Sequence, residues 1–162
     1  MAASGGMSSD IPDVINVGLM GLGVVGTGVA THLLDRGSSL ADVAGRSVNL
    51  KKVLVRDPAL PRGIKLPSGV MTTNAEDILS DPDIHIVVEV MGGTDPAEGY
   101  LRQGLAAGKH VVTANKEVMA KSGPELLALA RQNDASLLFE ASVGGGIPIV
   151  GCLMTELAAH DI

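Results

Sequence analysis

Val14-Ile15-Asn16-Val17-Gly18-Leu19-Met20 followed by Gly21-Leu22-Gly23-Val24-Val25-Gly26 is the stretch that decides the fold. The first seven residues form an apolar run of strand length, and the last six are a G-x-G-x-x-G. Glycine-rich loops are common, so the context matters. Here the glycines follow a strand and open an amphipathic helix from Val24 to Arg36, with Val25, Val29 and Leu33 spaced along one face. Each glycine has a physical task. Gly21 permits the tight turn, Gly23 lets backbone amides approach a pyrophosphate, and Gly26 lets helix and strand pack closely. The helix N-terminus then offers unpaired N–H groups and partial positive charge to phosphates.

Outward from this turn, apolar strands alternate with helical stretches. A second strand is expected over Leu50 to Arg56, after a polar insertion from Gly37 to Asn49. Asp57 to Gly69 holds three prolines and reads as loop. Thr73 and Glu76 have capping-box spacing ahead of a short helix ended by Asp81-Pro82. Ile84 to Met91 is the most apolar strand. Asp95-Pro96-Ala97-Glu98 reads as a helix start with Asp95 as cap, and that helix stops at Gly108. His110 to Ala114 is a strand, Ser122-Gly123-Pro124-Glu125 opens a helix, Ala135 to Val143 is the last strand, and Ile147 to Ala159 is helical. Near-continuous apolar strands separated by helices imply an α/β fold with a doubly wound, mostly parallel sheet of the Rossmann type.

The composition excludes several functions. Charged residues are 19% and apolar residues 46%, a balance that folds. A net charge of -6, one Phe, one Tyr and no Trp leave neither a basic field nor stacking rings for nucleic acid. No apolar run reaches the ~20 residues of a membrane span. The single cysteine, Cys152, has no disulfide partner within the chain and reads as a small apolar residue, which suits a reducing cytoplasm. The segment 1–12 reads as a flexible tail, 13–146 as a dinucleotide-binding domain, and 147–162 as a helix leading onward.

Cofactor choice in such a domain is set after the second strand, where an acidic residue serves the ribose 2′-OH of NAD. This chain has Arg56 there, whose planar fork suits the 2′-phosphate of NADP. Asp57 would serve the 2′-OH if the register slips by one, so both cofactors stay open. Arg62 and Lys65 are further phosphate partners to consider.

Three segments narrow the reading: Val87-Val88-Glu89-Val90-Met91-Gly92-Gly93, then Gly108-Lys109-His110-Val111-Val112-Thr113-Ala114-Asn115-Lys116, then Phe139-Glu140-Ala141-Ser142-Val143-Gly144-Gly145-Gly146-Ile147-Pro148-Ile149. In this order behind the glycine turn they resemble the amino-terminal half of homoserine dehydrogenase, from about Asn16 onward. The resemblance implies NAD(P)-dependent interconversion of homoserine and aspartate 4-semialdehyde, on the route to threonine, methionine and isoleucine. It implies that Leu22, Val24 and Val25 touch the pyrophosphate and adenosine, and that Gly93 and Thr94 lie along the nicotinamide riboside.

It makes Lys116 the residue expected to meet both cofactor and substrate chemistry. A lysine after a strand's carboxyl end can orient or protonate an oxygen that becomes an alcohol. The helix dipole disfavours a cation at that helix start, which argues for a function there. The resemblance further implies a sodium ion held by main-chain oxygens of Glu140, Val143, Gly145 and Ile147, as hard cations prefer oxygen ligands. His85 and His110 lie at strand starts and read as structural.

The family continues into a substrate domain that would also hold most subunit contacts. The expectation is therefore a cofactor half, inactive alone, of a cytoplasmic homo-oligomer. A stand-alone NAD(P)-binding module is the alternative.

Overall fold

A computed structural model of the chain describes residues 12–155. Its strands are β1 (Val14–Met20), β2 (Ser47–Leu54), β3 (Met71–Thr72), β4 (Ile86–Glu89), β5 (His110–Thr113) and β6 (Leu137–Leu138). All pair in parallel, in the order β3-β2-β1-β4-β5-β6. The chain winds outward from β1 to β3, returns to the middle, and winds out the other way from β4 to β6. That reversal leaves a crevice at the carboxyl ends of β1 and β4, where open α/β sheets bind ligands. Register sharpens the point. Leu54, Met20, Glu89 and Thr113 are aligned across four strands, so the segments that follow them emerge side by side.

The helices are α1 (Val24–Asp35), α2 (Gly37–Ala44), α3 (Glu76–Leu79), α4 (Ala97–Ala106), α5 (Lys116–Gln132) and α6 (Val150–Thr155). Successive strand residues point to opposite faces, and the core divides accordingly. Leu19 joins Leu22, Ala30, Leu50, Val53, Val55 and Val70 on the α1 side. Met20 joins Ile78, Leu79, Val87, Leu101, Leu105, Val111 and Leu126 beneath α3, α4 and α5. Both faces of the sheet are covered, as a parallel sheet requires.

Several local expectations are corrected. The α1 residues buried against the sheet are Gly26 and Ala30, continuing from Leu22 in the turn before the helix, with Val29 and Leu33 partly buried, while Val25 is 57% exposed. Two small residues, Gly26 and Ala30, let α1 approach the sheet more closely than a valine stripe would. The polar insertion 37–49 contains α2, stopped by Gly45 at φ +67, and β2 begins earlier, at Ser47. A two-residue strand, β3, follows the proline-rich loop.

Thr73 does not cap α3. The Asn74 side-chain oxygen accepts the Glu76 N–H at 3.2 Å, and Glu76 turns to Ser80 and Gln103 instead. Nor does Asp95 cap α4: the turn closes through the Thr94 carbonyl, which accepts the Glu98 N–H at 2.9 Å. The Glu98 carboxylate pairs with Arg102 and Ser122 rather than reaching back.

The helix expected from Ser122 already starts at Lys116 and runs through Pro124. Asn115 caps it, its side-chain oxygen accepting the Val118 N–H at 3.2 Å. Val118, Ser122, Leu126 and Ala130 bury one continuous stripe, which offsets the ~3 kcal/mol an interior proline costs. The last strand is only Leu137–Leu138, because Glu140–Ser142 turn into a short 3-10 helix. The final helix starts at Val150 rather than Ile147. The tail expected up to Ile11 and the helix expected to continue beyond Thr155 fall outside the described residues.

Candidate functional site

The glycine turn is tied to the sheet by the Gly21 N–H, which donates to the Leu54 carbonyl at 3.1 Å. Gly21 has φ +101, a conformation that favours glycine, and a Cβ there would sit 3.0 Å from the Val90 carbonyl oxygen. A Cβ on Gly26 would lie 2.1 Å from the Gly21 carbonyl oxygen. Strand-to-helix packing therefore requires both of these glycines.

Gly23 is different. Its φ of -80 and ψ of -159 suit any residue, and a Cβ would meet nothing within 4 Å. Nothing among the described residues requires glycine at this position. The open space lies at the N-cap of α1, which has no side-chain cap and no acidic residue in its first turn. Unpaired amides facing a space that only a missing Cβ keeps open are what a bound pyrophosphate needs. Val24 and Val25, 94% and 57% exposed, stand beside it. Leu22 differs from expectation: its side chain is only 6% exposed and belongs to the core, leaving its backbone alone to face a ligand.

Arg56 follows β2 by two residues, is exposed, and pairs with none of the described residues. Asp57 is otherwise engaged. Its carboxylate accepts the Ala59 N–H at 2.9 Å and its carbonyl accepts from Arg62 at 2.6 Å. Arg62 is thus held within its own loop. Lys65 is exposed in a cleft with Thr31, Leu34 and Asp35, beside the end of α1 opposite to the glycine turn.

Beyond β4, Gly92 and Gly93 have φ +75 and +70 and swing the chain sharply toward Thr94. The Asn115 side-chain amide donates to the Gly93 carbonyl at 2.6 Å. Lys116, the first residue of α5, is exposed and has no ion pair or hydrogen bond from its ammonium among the described residues. The structure thus brings the glycine turn, Arg56, Gly93, Thr94 and Lys116 to one edge of the sheet.

Residues 140–147 lie past β6. The Glu140 carboxylate accepts N–H groups from Ile149, Val150 and Gly151 at 2.5, 2.8 and 2.7 Å, and these amides, Gly151 foremost, hold its pKa below the usual value. That carboxylate is committed to the backbone. Main-chain oxygens of Glu140, Val143, Gly145 and Ile147 remain as hard donors, in a turn with Gly144 and Gly145 at φ +69 and +65. The Glu140 carbonyl already accepts the Val143 N–H at 3.1 Å, leaving one lone pair. Among the described residues no group of three or more His, Cys, Asp or Glu gathers to hold a metal.

Sequence reasoning missed Glu89, Thr113 and Asn115, all buried beneath the crevice. The signal was present: Glu89 is a carboxylate inside the run Ile86-Val87-Val88-Glu89-Val90. A second ionic cluster sits at the opposite, amino edge of the sheet. There Lys51 pairs with Asp81 and Asp83, and the Lys109 ammonium donates to the carbonyls of Asp81 and Ile84. Burial lowers the pKa of Lys109. This cluster ties β2, β4 and β5 together, remote from the crevice.

A sheet of this strand order, with a glycine turn opening onto its switch point, defines a nicotinamide-dinucleotide-binding domain of the doubly wound class. A family model described as the homoserine dehydrogenase NAD binding domain matches residues 21–140, and the chain belongs to that family. It is 47% identical over 148 residues to the homoserine dehydrogenase of Bacillus subtilis, covering 91% of this chain and 34% of that protein. Identity to the Synechocystis homoserine dehydrogenase is 44% over 153 residues, again 91% and 34%. The crystal structure of a homoserine dehydrogenase from Thiobacillus denitrificans matches with a TM-score of 0.81 at 43% identity, over 90% of this chain and 34% of that one. The chain thus spans about a third of the length of these relatives. No helix among the described residues is long and apolar enough to cross a membrane.

Proposed function

We propose that this chain is the cofactor-binding part of a homoserine dehydrogenase, serving NAD(P)-dependent interconversion of homoserine and aspartate 4-semialdehyde. The observation that carries the cofactor reading is Gly23, a glycine the apo fold does not need, at an uncapped helix N-terminus. The amides at the start of α1 bind the pyrophosphate, Val24 and Val25 flank the adenosine, and Gly93 and Thr94 run along the nicotinamide riboside. Bound nicotinamide supplies the hydride. Lys116 orients the substrate oxygen and holds a proton for it at Nζ, since a cation beside a developing alkoxide strengthens as charge grows. Carbonyls of Glu140, Val143, Gly145 and Ile147 hold sodium, whose preference for hard oxygen donors they match.

The 147–162 segment leads to a substrate-binding domain, with 13–146 as the dinucleotide unit. The whole protein is a cytoplasmic homo-oligomer in this reading, with one unpaired cysteine suited to a reducing compartment.

NADP is preferred over NAD, because Arg56 has no partner among the described residues while the Asp57 carboxylate already has one. Removing Arg56 deletes a charge-assisted bidentate contact to the 2′-phosphate, so Arg56→Ala should weaken NADPH about ten-fold or more and NADH less than about two-fold. Calorimetric titration of both cofactors checks this. Equal losses would make Arg56 a structural residue and leave the preference without support.

A further inference from the structure

Five polar or charged residues are buried among the described ones, and three of them, Glu89, Thr113 and Asn115, form one network under the crevice. Glu89 has no exposed surface, and no lysine, arginine or histidine among the described residues bonds to it. An unpaired buried carboxylate is costly, so its retention in an apolar strand demands a use. Its oxygens take the Met91 N–H at 2.8 Å and the Thr113 hydroxyl at 2.6 Å, with the Asn115 amide at 3.5 Å. The Thr113 hydroxyl oxygen accepts the Asn115 N–H at 3.0 Å. The Asn115 side chain donates to the Gly93 carbonyl and accepts the Val118 N–H, capping α5.

Beyond the ladder between β4 and β5, these bonds join two segments: the left-handed loop Gly92-Gly93 and the helix start that carries Lys116. Val118 anchors α5 in the core, but Gly92 and Gly93 are exposed and have no side chain to pack, and Lys116 is exposed as well. The hydrogen-bonded brace is what ties the Gly93 loop itself to that helix start through side chains.

We infer that Glu89 is a positioning residue: acting through Thr113 and Asn115, it sets the Gly93 loop and the Lys116 helix start at the spacing that receives the nicotinamide half of the cofactor. The inference rests on the dinucleotide reading above and adds to it. Glu89 touches neither cofactor nor substrate.

Because the brace supports one half of the site, its loss should divide the binding energy between halves. The chain and its variants are titrated with NADPH and with adenosine 2′,5′-bisphosphate, which contains the adenylate half alone. Glu89→Gln replaces one acceptor oxygen with a donor. It should weaken NADPH about ten-fold, roughly one charged hydrogen bond's worth, and change bisphosphate affinity less than about two-fold. Thr113→Val should behave like E89Q, and Thr113→Ser, which keeps the hydroxyl, should retain wild-type binding of both ligands.

NADPH binding unchanged in E89Q and T113V, with the wild type binding both ligands, overturns the brace and leaves the cofactor reading intact. Equal loss of both ligands in the variants makes the network a general scaffold and also overturns it. Should E89Q fail to fold, the contrast between T113V and T113S decides by the same readout. A wild-type chain that binds neither ligand removes the dinucleotide reading, and the brace with it.

Discussion

Gly23→Ala is expected to fold as stably as the wild type while losing dinucleotide affinity, and Gly26→Ala is expected to lose both. The structure makes this contrast sharp. At Gly23 the added Cβ meets nothing within 4 Å and the backbone angles tolerate alanine, so stability should move by less than about 0.5 kcal/mol. The same methyl occupies the space where phosphate must approach the α1 amides. Displacing one or two charge-assisted hydrogen bonds, about 1.5–3 kcal/mol each, lowers affinity roughly ten- to hundred-fold or more.

At Gly26 the Cβ would lie 2.1 Å from the Gly21 carbonyl oxygen, so α1 must move off the sheet. Overpacking of this kind costs about 1–3 kcal/mol, a drop of several degrees in Tm, and the displaced amides no longer converge on the phosphates. Thermal unfolding beside NADPH titration reads both quantities. A Gly23→Ala chain that binds normally would mean that the open space is not the phosphate site.

The largest effect on rate belongs to Lys116, assayed in a protein carrying this chain together with the remainder of its relatives' length. Lys116→Ala should lower kcat and kcat/KM together, by about 10²–10⁴-fold, the usual worth of general acid–base help. The reason is timing. Negative charge reaches the substrate oxygen only as hydride is transferred, so the ammonium contributes more in the transition state than in the ground state. NADPH affinity should change little, because the amides we propose for the phosphates lie at the start of α1. A raised KM with kcat intact would make Lys116 a substrate-positioning group only. Lost NADPH binding would make it a cofactor ligand.

The parts legible in the sequence were those under the strongest local constraint. The glycine turn was readable because three glycines at fixed spacing, behind an apolar strand, leave few other uses. β1, β4 and β5 were readable as apolar runs, though the ladder claims fewer residues of Ile84–Met91 than the pattern suggested.

Misreadings arose where two local signals competed or tertiary contacts decided. Gly123-Pro124 punctuates a chain in isolation, yet capping by Asn115 and the buried stripe from Val118 to Ala130 carry α5 through it. The last strand stops after Leu138 because the Glu140 carboxylate, nine to eleven residues distant along the chain, captures the first amides around α6. Leu22 looked available to a ligand because it lies within the motif, but its side chain is buried in the core cluster that includes Leu19, Ala30 and Val53. Glu89 was visible as an anomaly, an acid among valines, but its role depends on Thr113 and Asn115, more than twenty residues away. Periodicity reads neighbours along the chain, and this network is built across strands.

Titration of the pure, folded chain with NADPH and NADH, followed by calorimetry with folding checked by circular dichroism, tests the central claim most directly. The account predicts saturable binding of NADPH at one site per chain, weaker binding of NADH, and loss of both on Gly23→Ala. A folded chain that binds neither cofactor at millimolar concentration would contradict it.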